Sequence, residues 1–279
     1  MQIDSHQHFW GYDPAEYGWI DDSMAALRRD FLPTDLQREI QAVGIDGVIS
    51  VQARQSLAET RWLCTLAAEH PFVKGVIGWV PLTNAYVKDD LETLAHCHTL
   101  KAVRHVVQDE PDDQFLLRDD FNRGIDALGD FWLAYDLLIF ERQLPQAIEF
   151  VDRHPYQTFV LDHLAKPRAR DHQLEPWASN IHKLAERENV YCKLSGLPTE
   201  ADWREWTEHE LSIYWEVILH TFGPRRIMFG SDWPVCLLAA NYRSWYEVCR
   251  RFASGLSADD QDRIFGGTAI EAYRLTTDH

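Results

Sequence analysis

Leu32-Pro33-Thr34-Asp35-Leu36-Gln37-Arg38-Glu39-Ile40, followed closely by Gly47-Val48-Ile49-Ser50-Val51-Gln52-Ala53, sets the pattern of the chain. The first part is amphipathic and opens with Pro and Asp where a helix places them in its first turn. The second is β-branched and almost continuously apolar, as in a strand covered on both faces. The same alternation extends outward in both directions. Strand-like runs occupy residues 2–9, 47–53, 74–80, 101–107, 131–140, 157–163, 190–195 and 226–232, and most are separated by amphipathic stretches such as Leu144-Pro145-Gln146-Ala147-Ile148-Glu149-Phe150-Val151. Such alternation predicts parallel strands joined by crossover helices. Eight βα units across roughly 250 residues match the size of a (β/α)8 barrel of the TIM type, with chemistry expected at the C-terminal ends of the strands. A doubly wound open sheet is the alternative, but no GxGxxG or GxxxxGKS/T turn follows an early strand.

No internal repeat, low-complexity tract or Gly/Ser-rich linker interrupts residues 1–279, so a single domain is expected. Two segments resemble insertions after strands: residues 11–31, aromatic and acidic, and residues 202–215, which carry Trp203, Trp206, Tyr214 and Trp215. In a barrel both would lie at the C-terminal face, where loops shape substrate access. Aromatic packing beneath long loops is the competing reading.

Composition narrows the function. Against 27 Lys+Arg stand 44 Asp+Glu, a net charge of −17 that excludes generic binding to nucleic acid or to anionic membranes. With 46% hydrophobic residues the chain is not disordered. Met1 leads directly into Gln2-Ile3-Asp4 with no signal-peptide pattern, and the longest apolar run, 131–140, is broken by Asp136 and is half of the ~20 residues a membrane helix needs. A soluble cytoplasmic protein acting on a small molecule is expected; the oligomeric state is left open. Cys64, Cys97, Cys192, Cys236 and Cys249 form no CxxC pair and are read as buried small hydrophobes rather than a disulfide framework or thiolate zinc site. Cys236 is set apart by its closeness to the Asp232 segment.

The strand ends carry the chemistry-bearing residues. His6 and His8 terminate the first strand on one face, with Asp4 behind them and Gln7 opposed. Two imidazoles so placed suit metal ligation or hydrogen bonding to a carbonyl oxygen. The sixth strand ends in Asp162-His163, neighbours expected to face opposite ways; His163 in the lumen would join the pair. The eighth ends in Gly230-Ser231-Asp232-Trp233-Pro234, where a carboxylate at the mouth can ligate a metal or take a proton from water. A structural histidine and a helix-capping aspartate are the competing readings of His163 and Asp232.

Together with Asp4-Ser5-His6-Gln7-His8-Phe9-Trp10, Val51-Gln52-Ala53, Leu161-Asp162-His163-Leu164-Ala165-Lys166-Pro167, Lys193-Leu194-Ser195-Gly196-Leu197 and Gly230-Ser231-Asp232-Trp233-Pro234-Val235, these residues resemble the amidohydrolase superfamily. The resemblance is to the amidohydrolase-2 branch with its sugar-lactone hydrolases of the L-fuconolactonase and L-rhamnonolactonase type. It implies a (β/α)8 barrel and hydrolysis of an aldonolactone. Binuclear superfamily members have a bridging Lys after strand four and a His after strand five; here the positions read Lys101-Ala102-Val103-Arg104-His105-Val106 and Tyr135-Asp136, so a binuclear centre is not expected. The resemblance leaves two options: one divalent ion, such as zinc, on His6, His8 and Asp232, or no required metal.

On this reading Asp232 is the general base, and His6, His8 and His163, or an ion they help hold, stabilise the developing oxyanion. No GxSxG elbow is present, and Ser195 and Ser231 have no obvious adjacent base. Candidate substrate contacts are Gln52, Arg54, Lys166, either Arg104 or His105 by strand parity, and Trp10 and Trp233 as stacking surfaces. A weakly cationic mouth favours a neutral polyhydroxy lactone over a pyrone dicarboxylate. The rival functions are a pyrone-dicarboxylate lactonase or metal-dependent decarboxylase of the same branch and, in a different class, a non-catalytic binding barrel.

Overall fold

The computed structural model describes residues 1–276. Eight parallel strands pair in chain order: β1 (Ile3–Gln7), β2 (Gly47–Val51), β3 (Val73–Gly78), β4 (Leu100–Val106), β5 (Ala134–Leu138), β6 (Phe159–Leu161), β7 (Val190–Leu194) and β8 (Ile227–Phe229). The ring closes just past β8: the His8 amide donates to the Trp233 carbonyl at 2.7 Å and the Asp232 amide to the His6 carbonyl at 2.8 Å. Helices α1 (Pro33–Val43), α2 (Leu57–Glu69), α3 (Val87–Leu94), α4 (Asp119–Gly129), α5 (Leu144–Arg153), α6 (Trp177–Ala185), α7 (Glu208–Phe222) and α8 (Tyr242–Phe252) alternate with the strands, completing a single-domain (β/α)8 barrel. As expected, Pro33 opens α1, and the Asp35 carboxylate accepts from the Leu32 amide at 3.0 Å. No helix among the described residues is long and apolar enough to cross a membrane.

Every expected strand exists, although β6 and β8 have only three residues each because their C-terminal halves leave the ladder to form the site. The outward strand faces pack under the helices. The lumen is layered. Its lower layer is apolar, from Ile3, Ile49, Ile77, Ala102, Ala134, Val160 and Met228, and is sealed from below by Ala269 and Ala272 of the short α10 (Thr268–Ala272; preceded by α9, Ala258–Asp262) with Tyr273 and Leu275. The upper layer is polar, as period-two alternation from this floor requires: Arg104 on β4 and Asp136 on β5, then Asp162 just after β6 and Lys193 on β7.

Two expectations are corrected, and for residues 202–215 the packing reading is the one supported. Cys64 and Cys97 form a disulfide with Cα atoms 5.9 Å apart, joining α2 to the segment after α3, because the fold brings together cysteines 33 residues apart in sequence. Cys192, Cys236 and Cys249 are free and buried, as expected. Asp4 does not stand behind His6, because the β1–β2 register shifts between Asp4 and Gln7; its carboxylate accepts instead from the Ser231 amide at 2.8 Å and the Tyr242 hydroxyl of α8 at 3.0 Å. The insertion at 202–215 is packing: Tyr214 and Trp215 belong to α7 and are buried, and the Trp206 indole donates to the Ala239 carbonyl.

Candidate active site

The C-terminal end of the barrel opens into a cavity of 460 Å³ with His8, His163, Arg104 and Asp232 in its wall. Its rim comes from loops: Glu16, Gly18 and Trp19 after β1, Arg54 and Gln55 after β2, Gln108 to Glu110 after β4, Lys166 after β6, and Thr199 and Glu200 after β7. The insertion at 11–31 thus reaches the mouth, as expected.

His6 and His8 share a face, with Nε2 atoms 3.2 Å apart, while Gln7 points away to the Ser50 hydroxyl. Asp232 Oδ1 lies 3.7 Å from His6 Nε2 and 3.4 Å from His8 Nε2. His8 Nδ1 donates to the Val51 carbonyl at 2.8 Å, so its Nε2 lone pair faces the cavity. These separations suit a metal: ligands at about 2.0–2.1 Å around a tetrahedral ion lie about 3.4 Å from one another. The donor set therefore fits one zinc-like ion, with the cavity side open for water or substrate. A second group, His6, Asp162 and His163, also converges, but Asp162 is already engaged by two cations.

Two features bring His163 into place. Residues 163–166 have φ of 51, 55, 58 and 49°, a left-handed run that turns the chain inward directly after β6. Four consecutive non-glycine residues in this region store strain, which persists only where surrounding structure enforces it. Gly196, at φ 64°, makes room: a Cβ there would lie 2.5 Å from His163 Nδ1. The turn corrects the parity expected for Asp162 and His163, since both reach the lumen.

Ser195 is corrected as well. Its hydroxyl lies 2.9 Å from His163 Nδ1, so it does have an adjacent imidazole. The hydroxyl is fully buried behind the ring and orients His163 rather than facing the cavity. Burial pushes the His163 imidazolium down to about 4, although Asp232 and Asp162 favour the charge, so the ring is neutral near pH 7. Burial also drives His6 well below the ordinary histidine range. For Asp232 burial acts upward but is outweighed by His163, His8 and His6, which hold the carboxyl far below its usual value.

Parity is settled between Arg104 and His105. Arg104 faces the lumen and donates to Asp162 Oδ2 at 2.9 Å and to the Gln52 carbonyl at 2.5 Å. His105 points outward, stacked on Phe115 and bonded to Glu110 at 2.6 Å, so the substrate contact expected of it is corrected. Gln52 is fully buried and braces Arg104, with its amide donating to the Arg104 carbonyl at 3.3 Å. Trp10 and Trp233 are wall residues, packed on Phe31, because the inserted loop folds over them. Trp19 is the indole at the rim. Arg54 and Lys166 line the cavity as expected, Arg54 paired with Glu16 and Lys166 lying 3.7 Å from Glu200.

A parallel eight-stranded barrel with paired histidines after its first strand, a third after its sixth and an aspartate after its eighth defines a hydrolase-type metal-capable mouth. The chain belongs to the amidohydrolase family, whose sequence pattern matches residues 3–275. It is 40% identical to an L-fucono-1,5-lactonase of Burkholderia multivorans, covering 99% of this chain and 96% of that one. It is 34% identical to an L-fucono-1,5-lactonase of Burkholderia ambifaria over the same shares. A Burkholderia multivorans amidohydrolase crystallised with bound zinc superposes with a TM-score of 0.95 at 40% identity, covering 99% of this chain and all of that one.

Proposed function

We propose that the protein hydrolyses a sugar lactone to its open-chain hydroxy acid, with L-fucono-1,5-lactone the first substrate to test. The carrying observation is the convergence of Asp232, His8 and His163 on the wall of one cavity, with the buried His6 directly behind them, in a chain 40% identical to an L-fucono-1,5-lactonase. Asp232, held as carboxylate, takes a proton from water as the oxygen attacks the lactone carbonyl carbon. The carbonyl oxygen becomes anionic and is met by the His6 and His163 imidazoles. Collapse breaks the carbon to ring-oxygen bond, and the proton on Asp232 passes to the departing alkoxide. The new carboxylic acid ionises at neutral pH, releasing one proton per turnover. A divalent ion held by His6, His8 and Asp232 supplies Lewis-acid polarisation when bound.

The rim supports a neutral substrate. Arg54 is matched by Glu16, Arg104 by Asp162 and Lys166 by Glu200, so each of these cations at the mouth faces a carboxylate. Lys166, Glu200 and Arg54 are thereby suited to hydroxyls, and Trp19 to the apolar face of a ring. A pH-indicator panel of aldono-1,4- and 1,5-lactones with 2-pyrone-4,6-dicarboxylate tests the reading. Acid release from at least one aldonolactone is expected. Faster turnover of the pyrone, or evolution of carbon dioxide from an unsaturated acid, would replace it.

A further inference from the structure

The rim loop that follows β4 carries polar groups the mechanism does not use. In a closed ring of eight strands β4 stands opposite β8. A lactone whose carbonyl carbon sits beside Asp232 points its far end across the cavity, towards Gln108, Asp109 and Glu110 of this loop. His105 holds the loop from behind. Burial lowers its pKa against the pull of Glu110, so the imidazole is neutral near pH 7. The Trp79 indole, which can only donate, meets His105 Nδ1 at 3.4 Å, and the ring hydrogen on Nε2 is left for Glu110 Oε1 at 2.6 Å. Stacking on Phe115 at 4.8 Å between centroids, with Phe121 edge-on, fixes the ring.

One Glu110 oxygen is thus committed to His105, while Oε2 takes no hydrogen bond from the described residues. Beside it Gln108 Oε1 is hidden from solvent with no donor facing it. Arg54 also lines the cavity, but its guanidinium pairs with Glu16 and its Nε lies 3.6 Å from Glu59 Oε1. This end of the cavity offers acceptors and negative charge, without an unmatched cation among the described lining residues. A hydroxyl brings the hydrogen such acceptors need, whereas a carboxylate brings charge of the same sign and no hydrogen. We propose that Glu110, with His105 as its positioning residue, is a specificity determinant: it accepts a hydrogen bond from a hydroxyl at the far end of the lactone and excludes lactones that carry a carboxylate there. The inference rests on the lactone reading above and narrows its substrate class to lactones with a neutral, hydroxylated far end.

The test uses L-galactono-1,4-lactone, which differs from L-fucono-1,4-lactone only by a hydroxyl on its terminal carbon, and the galactaro-1,4-lactone in which that carbon is a carboxylate. The quantity read is the ratio of their kcat/KM values in full-length wild type, Glu110→Gln and His105→Phe, with folding checked by thermal melting. The wild type should favour the galactonolactone by about a hundredfold or more. Glu110→Gln keeps an oxygen for the His105 N–H and turns an N–H donor to the cavity, so the ratio should fall at least about tenfold. His105→Phe keeps an aromatic ring against Phe115 but releases Glu110; the ratio should fall, with KM for the galactonolactone raised about threefold or more. A purely structural role would slow both lactones alike and leave the ratio unmoved. A ratio within about twofold of wild type in folded Glu110→Gln would overturn the inference while the lactone reading stood, as would a wild type that prefers the galactarolactone. The same ratio in His105→Phe would overturn the positioning role. A wild type that turned over no aldonolactone would overturn the lactone reading and this inference together.

Discussion

Among the described acidic residues Asp232 lines the cavity beside His8 and His163, with the buried His6 within reach of its carboxylate. Its carboxyl is held far below the ordinary range, and His163 is pushed down to about 4, so both stand in their working forms well below neutrality. A group required in its deprotonated form with a depressed pKa loses activity only as pH falls through that value. Log kcat/KM of chelated enzyme should therefore stay level from about pH 8 down to about pH 5.5, without the inflection near 6.5 of an ordinary histidine. An inflection between about 6 and 7 would show that a histidine of ordinary basicity controls the rate.

At the scale of elements, the strand ends position the chemistry. The left-handed turn after β6 needs the absent side chain of Gly196 on β7's loop, since a methyl would press into the His163 ring at 2.5 Å. Gly196→Ala is expected to lower kcat at least about tenfold while the barrel persists, read by kinetics beside circular dichroism. Turnover within about twofold of wild type would show that His163 needs no such clearance. All eight strands were legible, because continuous apolar runs reflect burial on both faces. The β1 register shift, the inward turn at His163 and the outward Trp10 were not legible, because each depends on a neighbour far away in sequence. Asp136 and Lys193 did leave a signal: each is an ionisable residue inside an apolar strand, and Asp136 stands two positions above Ala134 of the lower layer.

The whole molecule carries a net charge of −17, yet its mouth is locally balanced by ion pairs. A neutral lactone entering such a mouth gains no steering from the global field, so kcat/KM should change less than about twofold between 20 and 500 mM salt. A steep fall with salt would indicate a charged substrate drawn by the field. The acidic surplus was readable from composition; the pairing at the mouth was not, since Glu16 and Glu200 lie in loops whose closure no periodicity describes. The central claim, that Asp232 activates water for lactone opening, is most directly tested by kcat/KM for L-fucono-1,5-lactone in wild type and Asp232→Asn, with folding checked by thermal melting. A loss of about a thousandfold or more in a folded variant is expected; turnover within about tenfold of wild type would contradict it.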